Sequence, residues 1–169
     1  YMAMGAAQVT GRPAAFCVVP GPGALNATAG LTSAYWGYAR VLAIIGQIAT
    51  TMQGRDIGTL HDLNDQTAIL RQVTKEAIAI GDPADGAALV QRAIDSLHSG
   101  VPRPVSLEVP VDVWARPADG IIEAPTITNP SPADGDIERA AKLLTEARRP
   151  LIIVGSGGYD ASASVVELA

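Results

Sequence analysis

The chain has 169 residues, 48% of them apolar, only 17% charged and 4% aromatic, with a formal net charge of -5. That length holds one ordinary domain or one domain and part of another, with enough apolar content to close a core. The acidic balance argues against a nucleic-acid partner, which needs a basic stripe, and no run approaches the ~20 apolar residues of a membrane span. The lone cysteine, Cys17, excludes an internal disulfide framework. It suits a reducing, cytoplasmic setting, and its expected place is a buried strand position.

Tyr1 to Ala7 reads as the middle of a helix with no capping residue ahead of it, stopped at Thr10-Gly11-Arg12-Pro13. The far end, Ser162 to Ala169, likewise lacks a stop signal, so both ends read as cuts through something longer. Ala14 to Val19 is an apolar run without alternation, as expected of a parallel strand covered on both faces. Pro20-Gly21-Pro22-Gly23 breaks it, and Ala24 to Tyr38 reads as a helix apolar on most sides. Val41 to Ile45 predicts a second buried strand, ending at Gly46-Gln47. A polar loop from Ile48 to Asn64 precedes a short helix near Asp65 to Arg71 and a strand near Thr74 to Ile80. Asp85 to Ser99 carries the clearest helical stripe, through Ala87, Val90, Ile94 and Leu97, and Val105 to Val109 is the next strand. This alternation predicts an α/β fold, a parallel sheet with helices on both faces.

Five prolines between Pro110 and Pro132 predict an extended linker. The expected organisation is therefore a domain over 1–110, a linker over 111–132 and the start of a second α/β domain over 133–169. In that second domain a helix from Asp136 to Arg148 leads to a strand, Leu151 to Val154, and the turn Gly155-Ser156-Gly157-Gly158.

In parallel sheets ligands gather at the carboxyl ends of strands. Gly21-Pro22-Gly23-Ala24-Leu25-Asn26 leaves such an end, with glycines that permit close backbone approach and a helix N-terminus directly after. It lacks the third glycine of a dinucleotide fingerprint, and Gly46-Gln47 stands where a ribose-binding acid would end the next strand, which argues against a nicotinamide cofactor. On residues alone, a tight strand-to-helix turn without a ligand explains the segment equally well. Lys75 reads as a strand-end charge, His98 as a dipole partner at a helix C-terminus, and Tyr35, Trp36 and Tyr38 as core or subunit contacts.

A resemblance adds to this reading. Gly5 to Pro13, Gly21-Pro22-Gly23-Ala24-Leu25-Asn26, Gly30-Leu31, Ala34-Tyr35, Val41 to Gln47, Val73-Thr74-Lys75 and Gly100 to Val105 occur in the order and near the spacing of the pyrimidine-binding domain of acetolactate synthase-like enzymes. Arg149-Pro150-Leu151-Ile152-Ile153-Val154-Gly155 resembles entry into that family's middle domain. The resemblance implies thiamine diphosphate as cofactor, with Mg2+ held outside this chain and FAD a candidate for the middle domain. It implies a 2-oxo acid substrate whose carbon–carbon bonds are cleaved or joined, and a homodimer or homotetramer. Gly21, Pro22, Gly23 and Asn26 are the implied cofactor-binding residues and Gln47 and His61 the implied catalytic ones, with no metal ligand in the chain. The family's cofactor-activating glutamate is expected five residues before Tyr1, so the chain holds a half-site, predicted inactive alone. At Leu60-His61-Asp62 the sequence departs from the Phe-Gln pair of the synthases, and decarboxylases of larger 2-oxo acids carry a comparable run. A solvent-exposed loop histidine and a non-catalytic scaffold of the same fold are the plainer alternatives.

Overall fold

The computed structural model describes residues 1–118, 120–125 and 131–169, so the part of the predicted linker at 119 and 126–130 lies outside the described residues. Two compact units divide the chain, residues 1–129 and 130–169.

The first unit runs α1 (Met2–Thr10), β1 (Ala14–Val18), α2 (Pro22–Trp36), β2 (Val41–Gln47), α3 (Gln66–Val73), β3 (Glu76–Ala79), α4 (Gly86–His98), β4 (Val105–Pro110) and α5 (Val111–Trp114). The four strands form one parallel sheet in the order β1-β2-β4-β3. Strand β4 enters between β2 and β3, pairing Ile45 with Glu108 on one side and Ile78 with Leu107 on the other. Helices cover both faces, as the alternation of elements predicts.

Because side chains alternate along a strand, the sheet separates two cores. Val41, Ala43 and Ile45 pack with Ala7, Leu31, Ala34 and Leu70 from α1, α2 and α3. Val105, Leu107, Val109 and Ile78 pack with Ala93 and Leu97 of α4 and Val113 of α5. The small residues of α2 permit close approach to the sheet, and burial of Leu31, at 1% exposure, contributes roughly 1.5–3 kcal/mol.

Several expectations are corrected. Helix α2 buries only Ala24, Leu31 and Ala34; Leu25 and Trp36 stay exposed, so it is a one-sided helix. Cys17 is exposed because it points to the sheet face opposite α1 and α2, where no described element packs over β1. The predicted linker opens with the helical turn α5, whose Val113 is buried in the second core. Strand β3 is two residues shorter at its start and one at its end than the apolar run suggests.

The second unit contains α6 (Asp134–Glu146), a 3-10 turn (Ser156–Ala161) and α7 (Ser162–Leu168), none with a buried residue. Leu151–Val154, predicted as a strand, carries no ladder; Leu151 and Ile153 are exposed. A strand is defined by its hydrogen-bonded neighbour, and no described residues of this unit supply one.

Candidate functional site

The carboxyl edge of the sheet gathers three segments. The first is the turn after β1. Gly21 adopts φ +60° as the N-cap of α2, and Pro22 occupies the first helical turn, where its missing N–H costs nothing. The turn rests on β2: a Cβ added to Gly46 would stand 2.9 Å from Pro20 Cδ.

The second segment is the loop from 48 to 65, which joins β2 to α3. Asp65 caps α3, its carboxylate accepting from the Ala68 amide at 2.8 Å. His61 is half-buried at φ +69°, in a turn closed by the Asp62 amide donating to the Thr59 carbonyl at 3.1 Å. Farther back, the Thr50 amide donates to Asp112 Oδ1 at 2.9 Å and the Thr50 hydroxyl to Oδ2 at 2.5 Å. These two bonds, side chain first, hold the Asp112 carboxyl below its ordinary range.

The third segment is the end of β4, and here a buried polar group appears that the apolar reading missed. Glu108 is 1% exposed and Gln66, the first residue of α3, is 2% exposed. Gln66 Oε1 accepts from the Gly21 amide at 2.8 Å. Its Nε2 donates to the Gly46 carbonyl at 3.1 Å and to Glu108 Oε2 at 2.8 Å. Gln47 Nε2 approaches the same Glu108 oxygen at 3.4 Å, while its Oε1 accepts from the Ile48 amide at 2.8 Å. The other Glu108 oxygen and the Ser106 hydroxyl have no partner among the described residues. The available signal was Val105-Ser106-Leu107-Glu108-Val109, in which two polar residues alternate inside a run otherwise fit for complete burial.

The six residues picked out by sequence all reach this edge, but they do not share one cavity. Gln47 and His61 line a cavity of ≈ 720 Å³ with Cys17, Ile44, Leu60 and Trp114. Gly23 and Asn26 line another of ≈ 430 Å³ with Tyr1, Met4, Phe16 and Gly30. Gly21 lies buried with its amide on Gln66, and Pro22 is exposed. Among the described residues His61 makes no side-chain hydrogen bond to Asp62 or Gln47. Neither cavity is lined by a lysine or arginine, and among the described residues no cluster of three or more His, Cys, Asp or Glu could hold a metal ion.

Lys75 sits at the opposite edge. Its ammonium donates to the carbonyls of Ser99 at 2.7 Å and Val101 at 3.2 Å, and burial together with nearby Arg40 lowers its pKa. At this amino edge Arg103 stacks 4.0 Å from the Tyr35 ring centroid and donates to its hydroxyl, while Tyr35 meets Trp36 edge to face.

The comparisons with known proteins agree with this architecture. The family model described as "Thiamine pyrophosphate enzyme, N-terminal TPP binding domain" matches residues 1–69. A Pseudomonas aeruginosa protein named as a probable 2-ketoarginine decarboxylase is 31% identical over 99% of this chain, which spans 31% of that protein. The acetolactate synthase isozyme 3 large subunit of Escherichia coli is 30% identical over 95% of this chain, which spans 29% of it. A solved structure from Mycobacterium smegmatis, assigned to thiamin diphosphate-dependent enzymes, superposes with a TM-score of 0.86 at 25% identity, covering 98% of this chain and 33% of that one. The chain thus spans about a third of the length of the relatives it matches. Motifs, fold and relatives converge, and the chain is an acetolactate synthase-like segment of the thiamine diphosphate-dependent enzyme superfamily.

Proposed function

We propose that this chain supplies the pyrimidine-side half of a thiamine diphosphate site in an enzyme of the acetolactate synthase type, acting on 2-oxo acids. The observation that carries the reading is the Gly21-Pro22-Gly23 turn, braced at the sheet's carboxyl edge beside Gln47 and His61 and opening into α2. The cavity at Gly23 and Asn26 suits a flat uncharged ring, with apolar walls from Met4 and Phe16 and one carboxamide. The lack of a lysine or arginine in the lining of either cavity supports a reading in which the diphosphate and Mg2+ are held by residues outside this chain. When bound, the cofactor supplies the electron sink for breaking the bond to the carboxyl carbon.

The chain's own residues then have distinct tasks. Gly21, Pro22 and Gly23 set the turn against which the ring packs, and Asn26 offers its carboxamide to the ring's edge. Gln47, held by the Ile48 amide, presents a neutral dipole to the reacting carbonyl. The His61 imidazole holds or delivers a proton after carbon dioxide leaves, since one ring nitrogen can accept a proton and the other donate one. We extend the proposal to a cytoplasmic homodimer or homotetramer, with FAD as the candidate ligand of the second unit.

Decarboxylation ending in an aldehyde is the second reading, favoured by His61 where the synthases keep glutamine and by the name of the Pseudomonas relative. The deciding experiment gives pyruvate to the full-length protein with thiamine diphosphate and Mg2+. Acetolactate supports the synthase reading and acetaldehyde the decarboxylase. Failure to bind the cofactor removes both.

A further inference from the structure

The buried polar group at the carboxyl edge has no part in the reaction just described, and its geometry suggests why it is there. Gln66 makes three side-chain hydrogen bonds, one accepted and two donated, and each goes to a different strand end: the Gly21 amide after β1, the Gly46 carbonyl in β2, and the Glu108 carboxyl in β4. All three partners lie more than nineteen positions away in sequence, the Gly46 carbonyl nearest at 20 and Gly21 farthest at 45. A glutamine at 2% exposure would be destabilising unless so fully satisfied. Apolar residues could fill the same volume, so packing alone does not explain an amide and a carboxyl here.

The bonds act on the backbone of the segments that carry the candidate site. The Gly21 amide belongs to the N-cap of α2, whose orientation sets Pro22, Gly23 and Asn26. The Gly46 carbonyl fixes the peptide before Gln47. Glu108 accepts from Gln66 and lies within 3.4 Å of Gln47 Nε2, so one carboxyl restrains both glutamines. The other Glu108 oxygen is itself buried, with no partner among the described residues.

We propose that Gln66, anchored by Glu108, is a positioning residue: it holds the cofactor-facing turn and Gln47 in a fixed relation without touching either ligand. This rests on the thiamine diphosphate reading above.

The test uses the full-length protein and reads cofactor affinity by calorimetry beside thermal melting. Gln66→Glu keeps the acceptor for Gly21 but loses both donated bonds and sets a carboxylate against Glu108. The expected result is a rise of tenfold or more in the thiamine diphosphate Kd of protein that remains folded by circular dichroism. Adding Glu108→Gln in the same chain reverses the pair, since the new amide can donate to the new carboxylate. That double variant should recover to within about threefold of the wild-type Kd. A lowered Tm with an unchanged Kd in the folded protein would reduce Gln66 to a purely structural role and overturn the proposal. So would a double variant no better than Gln66→Glu alone. If the Gln66→Glu chain does not fold, the double variant decides by itself: near-wild-type affinity supports the brace, and a tenfold loss overturns it. If the wild-type protein does not bind thiamine diphosphate, the functional reading falls and this inference falls with it. Wild-type binding with unaffected variants sinks the inference alone.

Discussion

Gly21 and His61 are in main-chain contact across 40 residues of sequence: a Cβ placed on Gly21 would stand 2.5 Å from the His61 carbonyl oxygen and 2.9 Å from its carbonyl carbon. Both residues have positive φ, +60° and +69°. The turn that opens α2 and the loop that carries the histidine are therefore fitted to each other backbone to backbone, and only glycine serves at position 21.

Gly21→Ala tests this fit. The methyl group meets both a disfavoured φ and a neighbouring main chain, so the strain should reach at least ~1–3 kcal/mol. The expected outcome is a lower Tm for the full-length protein together with weaker thiamine diphosphate binding, because the loop must retreat. An unchanged melting curve would show that the two segments are not pressed together in solution.

His61→Ala should lower turnover by ~100-fold or more, the usual scale for a general acid–base group, while cofactor affinity changes little. His61→Gln should shift products towards carboligation, since a carboxamide can polarise a carbonyl but delivers no proton. Steady-state rates and product ratios between pH 6 and 8 check both. Curves that overlay the wild type would make His61 a loop residue held only by its backbone.

Ser106→Ala and Thr74→Val should move stability in opposite directions. The Ser106 hydroxyl is fully buried without a partner among the described residues, so deleting it removes an unsatisfied group and should leave Tm unchanged or raise it, by up to ~1 kcal/mol of stability. The Thr74 hydroxyl donates to the Leu70 carbonyl at 2.7 Å, and its loss should cost about 1 kcal/mol. Denaturant midpoints of the two variants measure the contrast. A clear loss of stability in Ser106→Ala would mean that the hydroxyl has a water or ligand partner.

The Thr50–Asp112 tie should open in acid. Its carboxyl has a folded pKa below the unfolded value, so the contribution is complete above the ordinary carboxylate pKa and is lost as pH falls through the lowered one. Amide exchange at Thr50, corrected for the intrinsic rate, should be protected at neutral pH and lose protection only below pH ~4. Asp112→Asn should weaken that protection already at neutral pH. Equal protection in the two proteins would dissociate the tie from the charge.

Much of this was legible locally. Strands β2 and β4, helix α4 and the Gly-Pro-Gly turn announce themselves through periodicity and turn chemistry within a dozen residues. Gln66 does not: it opens a short amphipathic helix, where a polar residue passes as solvent-facing, and its partners converge from 20 to 45 positions away. The exposure of Cys17 is hidden for a related reason, since an apolar run predicts a strand but not whether anything packs on each face. Leu151–Val154 has strand composition and no neighbour to pair with. The predicted linker hides α5 because five prolines dominate its composition, whereas the place of Val113 in the second core is set by residues distant in sequence.

The strand order has a consequence for how the chain reaches this state. Strand β4 is the last of the four in sequence, yet it lies between β2 and β3, which do not pair with each other. Until it docks, the sheet is two separate pieces, and the loop-closure entropy of bringing them together has been met by no ladder. The polar alternation of β4 then acts as a check on arrival: a slip by one residue would turn Ser106 and Glu108 to the α4 side and leave Gln66 without its anchor. The carboxyl edge of the sheet is accordingly expected to be the last part of the first unit to become native. Pulsed hydrogen exchange during refolding would see the Gly21 amide protected no earlier than the amides of β4.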